Sequence, residues 1–467
     1  MRRIETTDNN LGERFISIDG QTCDGGDVQI DEATRQALLP YAGISLSELA
    51  RNNPGLLVFP PNVGENEDGV DEECLFSLPG GKLTTHNIAG IFSVGSGLDR
   101  VQLSIRSRFD KDNPRHYFLM AMLKKVMGLN LLDMPASSGD DCIWDLLPCL
   151  LPYYLRRALN QGLFRCYRRF KFNDSEVHGT IDLGRHLGEN VPFRWTVAYE
   201  TREHTDNNAV VHLVRHAIES VARDPMFRNV LSGDEETRKA VAQIRMATPD
   251  YAPLAKTRII GQNIREIRHP YYTNWTELQR LCLRILRHDP ISFNGDGEGI
   301  FGIVFDVAWL WEEYLACFLK EFTHAENKRK LYGINLFTNG HRIYPDFYSQ
   351  EMGVVLDAKY KHLERQGRVL DRNDLNQMVT YLHVLPGRLA VLLYPWQNNE
   401  SDDRTLSYDG IGELNGHGGR VAKLAVAIPR LQSKQDFQSY TSQLEASMLD
   451  IQVQVQQACS KSVGNSK

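Results

Sequence analysis

From Tyr344 to His362 the chain reads YPDFYSQEMGVVLDAKYKH, two strand-like runs and a short turn into which two aspartates and a lysine are set. No other stretch constrains the fold so tightly. In a strand, residues two apart share a face, so Asp357 and Lys359 lie on one side, roughly 6.6 Å apart along the axis, while Ala358 points the other way. A charge carried into an apolar run is costly unless it is paired or bound to a metal. Asp346 sits on the preceding run, separated by the turn-like QEMG, and can lie beside Asp357. Two carboxylates and an ammonium then converge. Hard oxygen donors of this kind suit Mg²⁺ or Mn²⁺, and a nearby ammonium can hold or deprotonate an attacking water and stabilise charge on a phosphate.

The segments around this stretch place further polar groups near it. FDVAWLWEEYLACFLKEF (305–322) has helix-forming residues at helical spacing and predicts one long, largely buried helix; it brings Glu312 and Glu313, one of which can reach the same metal. Asn339-Gly340 is a hairpin turn signal. NDLNQMVTYLHVL predicts a helix capped by Asn373-Asp374, with Gln377 and Tyr381 four apart on one face. RLAVLLYP and VAKLAVAIP read as buried strands. The order is helix, strands, helix, strand, a C-terminal α/β domain.

At 467 residues the chain has room for two to four domains. We expect an α+β and α/β multidomain protein: a small β-containing domain at 1–112, a mainly helical one at 113–290, the α/β domain at 291–432, and a C-terminal helix and tail at 433–467. IAGIFSV and RVQLSIRSRF are β-like runs of the first, beside an acidic loop at 62–73. HYFLMAMLKKVMGL, IWDLLPCLLPYYLRRALNQGL and NAVVHLVRHAIESVARD carry the helical period of the second. RHDPISFNGDGEG (287–299) is the linker candidate. No apolar run approaches the ~20 residues that span a bilayer, and MRRIETTDNN lacks an apolar core for a secretory signal, so a cytoplasmic protein without membrane association is expected. Eight cysteines without a CxxC pair disfavour a zinc ribbon and suggest reduced thiols. A net charge of −6 and a pI near 6.2 give no global nucleic-acid signature, so DNA contacts must come from local patches or a partner.

Pro345-Asp346, Asp357-Ala358-Lys359 and Gln377-x-x-x-Tyr381 together resemble the PD-(D/E)xK nuclease superfamily with the Q-x-x-x-Y extension of its RecB-like branch. More narrowly, the chain resembles the McrC family, the nuclease subunits of McrBC modification-dependent restriction systems. WLWEEYL (309–315) is similar to the family's helix with a glutamate after an aromatic residue, which maps to Glu312. FRCYRRFKFNDSEVHGTIDLGRHL (164–187) resembles its Tyr-x-n-Gly-Arg-Ile stretch, with Thr180 where arginine is usual. TDNNAVVHLVRHAI (205–218) resembles its Asp-x-x-x-Asn-x-x-x-Lys helix start. IAGIFSVGSGLDRVQLSIRSRF (88–109) is similar to its N-terminal strands, with Ser107-Arg108 in place of the usual Pro-Lys. The likeness covers roughly residues 85–430 in blocks. It implies a Mg²⁺-dependent endonuclease in which Asp346, Asp357 and the carbonyl of Ala358 hold the metal, Lys359 activates water, Glu312 assists, and Gln377 and Tyr381 orient the site. It also implies a separate AAA+ GTPase partner that translocates, reads the modified base and is stimulated by this subunit. Cutting double-stranded DNA then calls for a transient dimer of nuclease domains. Two other readings stand beside this one: a catalytically silent subunit that bridges or activates the partner, and a stand-alone RecB-like nuclease.

Other features carry less. RRALNQGLFRCYRRFKF (156–172) interleaves basic and aromatic residues; Arg165, Arg168, Arg169 and Lys171, with Lys361 near the motif, are candidates for DNA contacts, while a solvated face or a dock for an acidic partner explains the stretch equally simply. His212 and His216 have the i, i+4 spacing of zinc ligands but no HExxH glutamate, and structural histidines are the plainer reading. LPGGKLTT (78–85) lacks the upstream glycine of a phosphate loop, so any nucleotide motor must be borrowed.

Overall fold

The structure is a computed structural model. It describes residues 2–11, 15–19, 21–22, 30–53, 56–59, 74–95, 100–110, 116–127, 146–224, 227, 230–232, 235–287, 299–325, 333–361, 371–385, 389–397, 408–415, 418–431 and 436–464. The acidic loop at 62–73 and nearly all of the linker candidate at 287–299 lie outside the described residues. The chain is mixed α and β and forms two compact units, 1–128, 136–144 and 293–467 in the first and 129–135 and 145–292 in the second.

In the first unit a seven-stranded sheet runs Gln21–Thr22, Phe15–Ile18, Arg2–Thr7, Val101–Arg106, Ile88–Val94, Ile300–Asp306, Leu56–Phe59. Ile300–Asp306 departs from the expected division at residue 291: it pairs antiparallel with Ile88–Val94 and parallel with Leu56–Phe59. The reason is local. IFGIVF is a continuous apolar run that can be buried on both faces, and Gly302 and Gly90 stand where an added Cβ would meet the facing strand's backbone. The expected long helix at 305–322 therefore starts only at Val307, where Asp306 caps it by accepting a hydrogen bond from the Trp309 N–H at 2.9 Å, and it ends at Ala316.

The second sheet of this unit has six strands in the order Thr323–His324, Phe347–Ser349, Val354–Ala358, Leu389–Gln397, Arg420–Ile428, Tyr408–Glu413. Phe347–Ser349 pairs antiparallel with Val354–Ala358, which pairs parallel with Leu389–Gln397 through the crossover helix Arg372–Val384. Alternation sends Val355 toward that helix, where it packs with Met378, Tyr381 and Leu382. The hairpin before Asp346 closes with a turn at Thr338-Asn339 and pairs Phe337 with Gly340, whose φ of 120° only glycine adopts freely. The C-terminal helix, expected as polar over about 433–458, runs Phe437–Gly464 and buries Tyr440, Leu444, Met448, Ile451 and Val455 at helical spacing. It packs on Arg420–Ile428 and on the helix Tyr117–Met127, which belongs to this unit and not with 145–292. Each such side chain contributes about 1.5–3 kcal/mol, so a charge at Leu444 would strip the helix from the sheet.

Among its described residues the second unit is mainly helical, with Leu146–Asn160, Ala209–Arg223, Glu235–Ala247, Lys256–Gln262 and Thr273–Arg287. Trp275 anchors it, fully buried, its Nε1–H donating to the Gly162 carbonyl at 2.9 Å. The basic stretch emerges as the strand Cys166–Asp174 of a three-stranded antiparallel sheet with Val197–Thr205 and Thr180–Ile181.

Candidate active site

The last pair of the antiparallel ladder is Phe347 with Leu356, so one step further the register sets Asp346 opposite Asp357. The Asp346 carboxylate accepts a hydrogen bond from the Ala358 N–H at 2.6 Å, which fixes it against the motif strand. In an extended strand the N–H and C=O of one residue point the same way, so the Ala358 carbonyl faces the same side as Asp346. Asp357 is fully buried and its carboxylate accepts no hydrogen bond from the main chain. The Lys359 ammonium stands 2.7 Å from its Oδ2 as an ion pair and also donates to Gln377 Oε1 at 3.0 Å. Gln377 Nε2 donates to the Tyr381 hydroxyl at 2.7 Å, and that hydroxyl lies 3.4 Å from the Tyr344 carbonyl. Five of the six residues proposed from the sequence thus meet in one chain of contacts.

The electrostatics follow from burial. Desolvation, then the Asp346 charge, pushes the Asp357 carboxyl up to about 7 against the pull of Lys359. Burial works against the Lys359 ammonium, but Asp357, Asp346 and Asp374 together raise it above the ordinary lysine value, which keeps it a donor suited to holding a water or a phosphate oxygen. Burial also raises the Tyr381 phenol, as do Asp357 and Asp346, so it acts as a neutral hydroxyl.

Asp374 is a residue that sequence reasoning misplaced. The helix is capped by Asp371, which accepts from the Asn373 N–H at 3.2 Å, while Asp374 turns inward, almost fully buried, and pairs with Lys361. Lys361 therefore faces a carboxylate, an arrangement that a candidate DNA contact does not require. Three carboxylates (Asp346, Asp357, Asp374) stand against two ammonium groups (Lys359, Lys361), an excess of one negative charge. Glu312 lies on the helix Val307–Ala316, its Oε1 3.8 Å from Nδ1 of His324, and its charge is felt at the Tyr381 hydroxyl. Among the described residues no three His, Cys, Asp or Glu side chains group closely enough to hold a metal by themselves. The donors for a divalent cation are then the paired carboxylates and the Ala358 carbonyl. They fit such an ion chemically: all are hard oxygens, and those of Asp357 are buried without a main-chain donor.

The remaining candidates lie in the second unit. Arg165, Arg169 and Lys171 are exposed on one face of Cys166–Asp174 with Tyr167, whose ring is covered by the Arg202 guanidinium at 4.5 Å. Acids stand nearby: Asp206 is 3.9 Å from Arg165 and Glu200 3.4 Å from Lys171. Arg168 points to the other face, donating to the Asn207 carbonyl at 2.9 Å with Asp250 at 3.6 Å. Arg169 sits directly across from Arg202, two like charges in one pair. His212 is held by Asn207 at 2.7 Å and His216 packs on Tyr251, so both are structural. Sequence reasoning also passed over the outward apolar side chains at the end of this sheet. Leu183 and Leu187, four apart on a short helix, are 68% and 62% exposed, and Val191, Phe193 and Trp195 follow, Trp195 at 82%.

With a buried acid–lysine pair at the mouth of a mixed sheet, the fold and site define a protein built around a charged strand motif. Residues 83–395 match the family described as McrBC 5-methylcytosine restriction system component, and the chain belongs to that family. Among solved structures it is similar to a half-complex from a tetradecameric assembly of Thermococcus gammatolerans McrB AAA+ hexamers with bound McrC, at 16% identity over 91% of this chain and 96% of that one, with a TM-score of 0.44. A second similar structure is the cryo-EM structure of the Thermococcus gammatolerans McrBC complex, at 16% identity over 63% of this chain and 83% of that one, with a TM-score of 0.29. No curated protein matches. No described helix is long and apolar enough to cross a membrane.

Proposed function

We propose that this chain is the DNA-cutting subunit of a modification-dependent, GTP-dependent restriction system, a metal-dependent endonuclease of the PD-(D/E)xK type brought to double-stranded DNA by an AAA+ GTPase partner. The observation that carries the reading is Asp357: fully buried, without a main-chain donor, set opposite a second carboxylate, Asp346, and ion-paired with Lys359 at 2.7 Å. A carboxylate is kept there at a cost to stability, which a catalytic role explains and a packing role does not. The strand order around it, an antiparallel pair followed by a helix and a parallel strand, supports the same fold.

Asp346, Asp357 and the Ala358 carbonyl would hold Mg²⁺ or Mn²⁺, which when bound supplies a Lewis acid and offsets charge on the phosphate oxygens. Lys359 holds a water or a phosphate oxygen, and Gln377, fixed by Tyr381, holds Lys359. Glu312 adds a carboxylate from the helix side. The basic face with Arg165, Arg169 and Lys171 suits phosphate contacts, and the outward apolar side chains around Trp195 suit a protein partner, which we take to be the AAA+ ring. A transient dimer of nuclease domains would cut both strands. The test is Asp357→Ala in the complex with the partner: DNA cleavage is lost while assembly and GTP turnover persist. Absence of cleavage by the wild-type complex with either metal would leave only the bridging role.

A further inference from the structure

Adjacent residues on a helix point about 100° apart, so Glu312 and Glu313 approach their surroundings from different sides. The side chain that separates them is His324, on the edge strand Thr323–His324, which pairs with the strand beginning at Phe347. Its Nδ1 is 2.9 Å from the Asp346 carbonyl oxygen, which also accepts the Ala325 N–H at 3.2 Å. Its Nε2 is 3.5 Å from Glu313 Oε1, and its ring stacks on Phe347 at 4.9 Å. Glu312 Oε1 stands 3.8 Å from Nδ1, too far for a hydrogen bond to a proton already given to Asp346. The Glu312 side chain is also the more buried of the two, 15% exposed against 29%, and its charge reaches Tyr381 inside the site.

We propose that His324 is a positioning residue that assigns the two glutamates different tasks, tethering Glu313 at the sheet edge, leaving Glu312 to face the carboxylate pair, and fixing the main chain at Asp346. The inference rests on the metal-nuclease reading above. One imidazole joins the helix of Glu312 and Glu313 to the strand of Asp346, so it sets the distance between the two sources of acidic ligands. Groups that orient a metal's ligands without touching it act in this way.

The experiment is a calorimetric Mn²⁺ titration of the full chain, with thermal melting as the folding control. His324→Phe keeps the stacking on Phe347 and removes both nitrogens; it lowers Mn²⁺ affinity about 10-fold or more. His324→Asn, whose amide can still donate to the Asp346 carbonyl, recovers most of that loss. Glu313→Gln weakens binding less than His324→Phe, and the double variant is no weaker than His324→Phe alone, because both changes break one link. Wild-type affinity in a folded His324→Phe protein, or fully additive losses in the double variant, overturns the proposal while the nuclease reading stands. A wild-type chain that takes up no Mn²⁺ removes the nuclease reading and this inference with it.

Discussion

The motif strand of the first unit and the sheet end of the second break the rule of apolar inside and charged outside in opposite directions. Asp357 is a carboxyl group at zero exposure, and Trp195 is an indole with most of its surface in water. Neither arrangement stabilises a folded chain: taking a carboxylate out of water costs more than a single ion pair returns, and an exposed indole gains nothing from folding. The difference lies in what would relieve each. On the proposed function a small hard cation would satisfy the first within the fold, and another macromolecule would cover the second. On that proposal, the chemistry and the assembly surface belong to different compact units.

The comparison breaks most decisively at Asp357. Asp357→Asn removes the excess carboxylate, so DNA cleavage falls by about 10³-fold while the melting temperature stays level or rises, because Lys359 keeps Asp346 and Asp374 as neighbours. Mg²⁺ raises the melting temperature of the wild type but not of this variant. A variant that melts several degrees lower would make Asp357 a structural ion-pair partner and remove the contrast. The second unit answers with the reverse pattern. Trp195→Ala leaves melting unchanged and weakens partner binding by about 2 kcal/mol, roughly 30-fold, in a pull-down or calorimetric assay. Loss of stability with intact binding would place the indole in the fold instead.

A third prediction asks whether every buried polar group in the first unit is functional. His116 is fully buried, both ring nitrogens lack hydrogen bonds, and burial, aided by Arg106, lowers it to about 3. Its folded value lies below the unfolded 6.5, so the unfolded chain binds the extra proton between these limits. Stability is therefore complete above about pH 6.5 and falls by about 1.4 kcal/mol per unit as the pH drops toward 3. His116→Asn, which tolerates the positive φ of 52°, flattens this part of the acid limb in chemical denaturation without touching cleavage. An unchanged acid limb would show that this imidazole is not the group responsible. The smallest effect is expected at Arg169. Arg169→Ala relieves its opposition to Arg202, leaves stability unchanged or slightly better, and lowers the salt slope of DNA binding by about 1; an unaltered slope takes this face out of the DNA path.

Much of the charged motif was legible because its signals are local. Period-two alternation set Asp357 and Lys359 on one face, and four-residue spacing set Gln377 beside Tyr381; the contact Gln377–Tyr381 follows from the helical period, while Lys359–Gln377 is made by the helix packing on the strand. Local signals failed where a competing partner was distant in sequence. Asp374 has the composition of a cap, yet Asp371 takes that role, and the ammonium of Lys361 draws Asp374 inward. His324 carries no motif at all, because its meaning lies in Asp346 and Glu313, 22 and 11 residues away.

The sequence by itself determined the two motif strands, the helix that follows them and which of their side chains share a face, since backbone periodicity needs no knowledge of neighbours. Tertiary structure alone decided that Ile300–Asp306 closes the N-terminal sheet, that the C-terminal helix covers the second sheet, and that a basic-aromatic stretch forms an exposed strand. Those choices depend on which apolar faces are left for each segment to cover. That is a property of the whole chain, settled by burial between residues far apart in sequence.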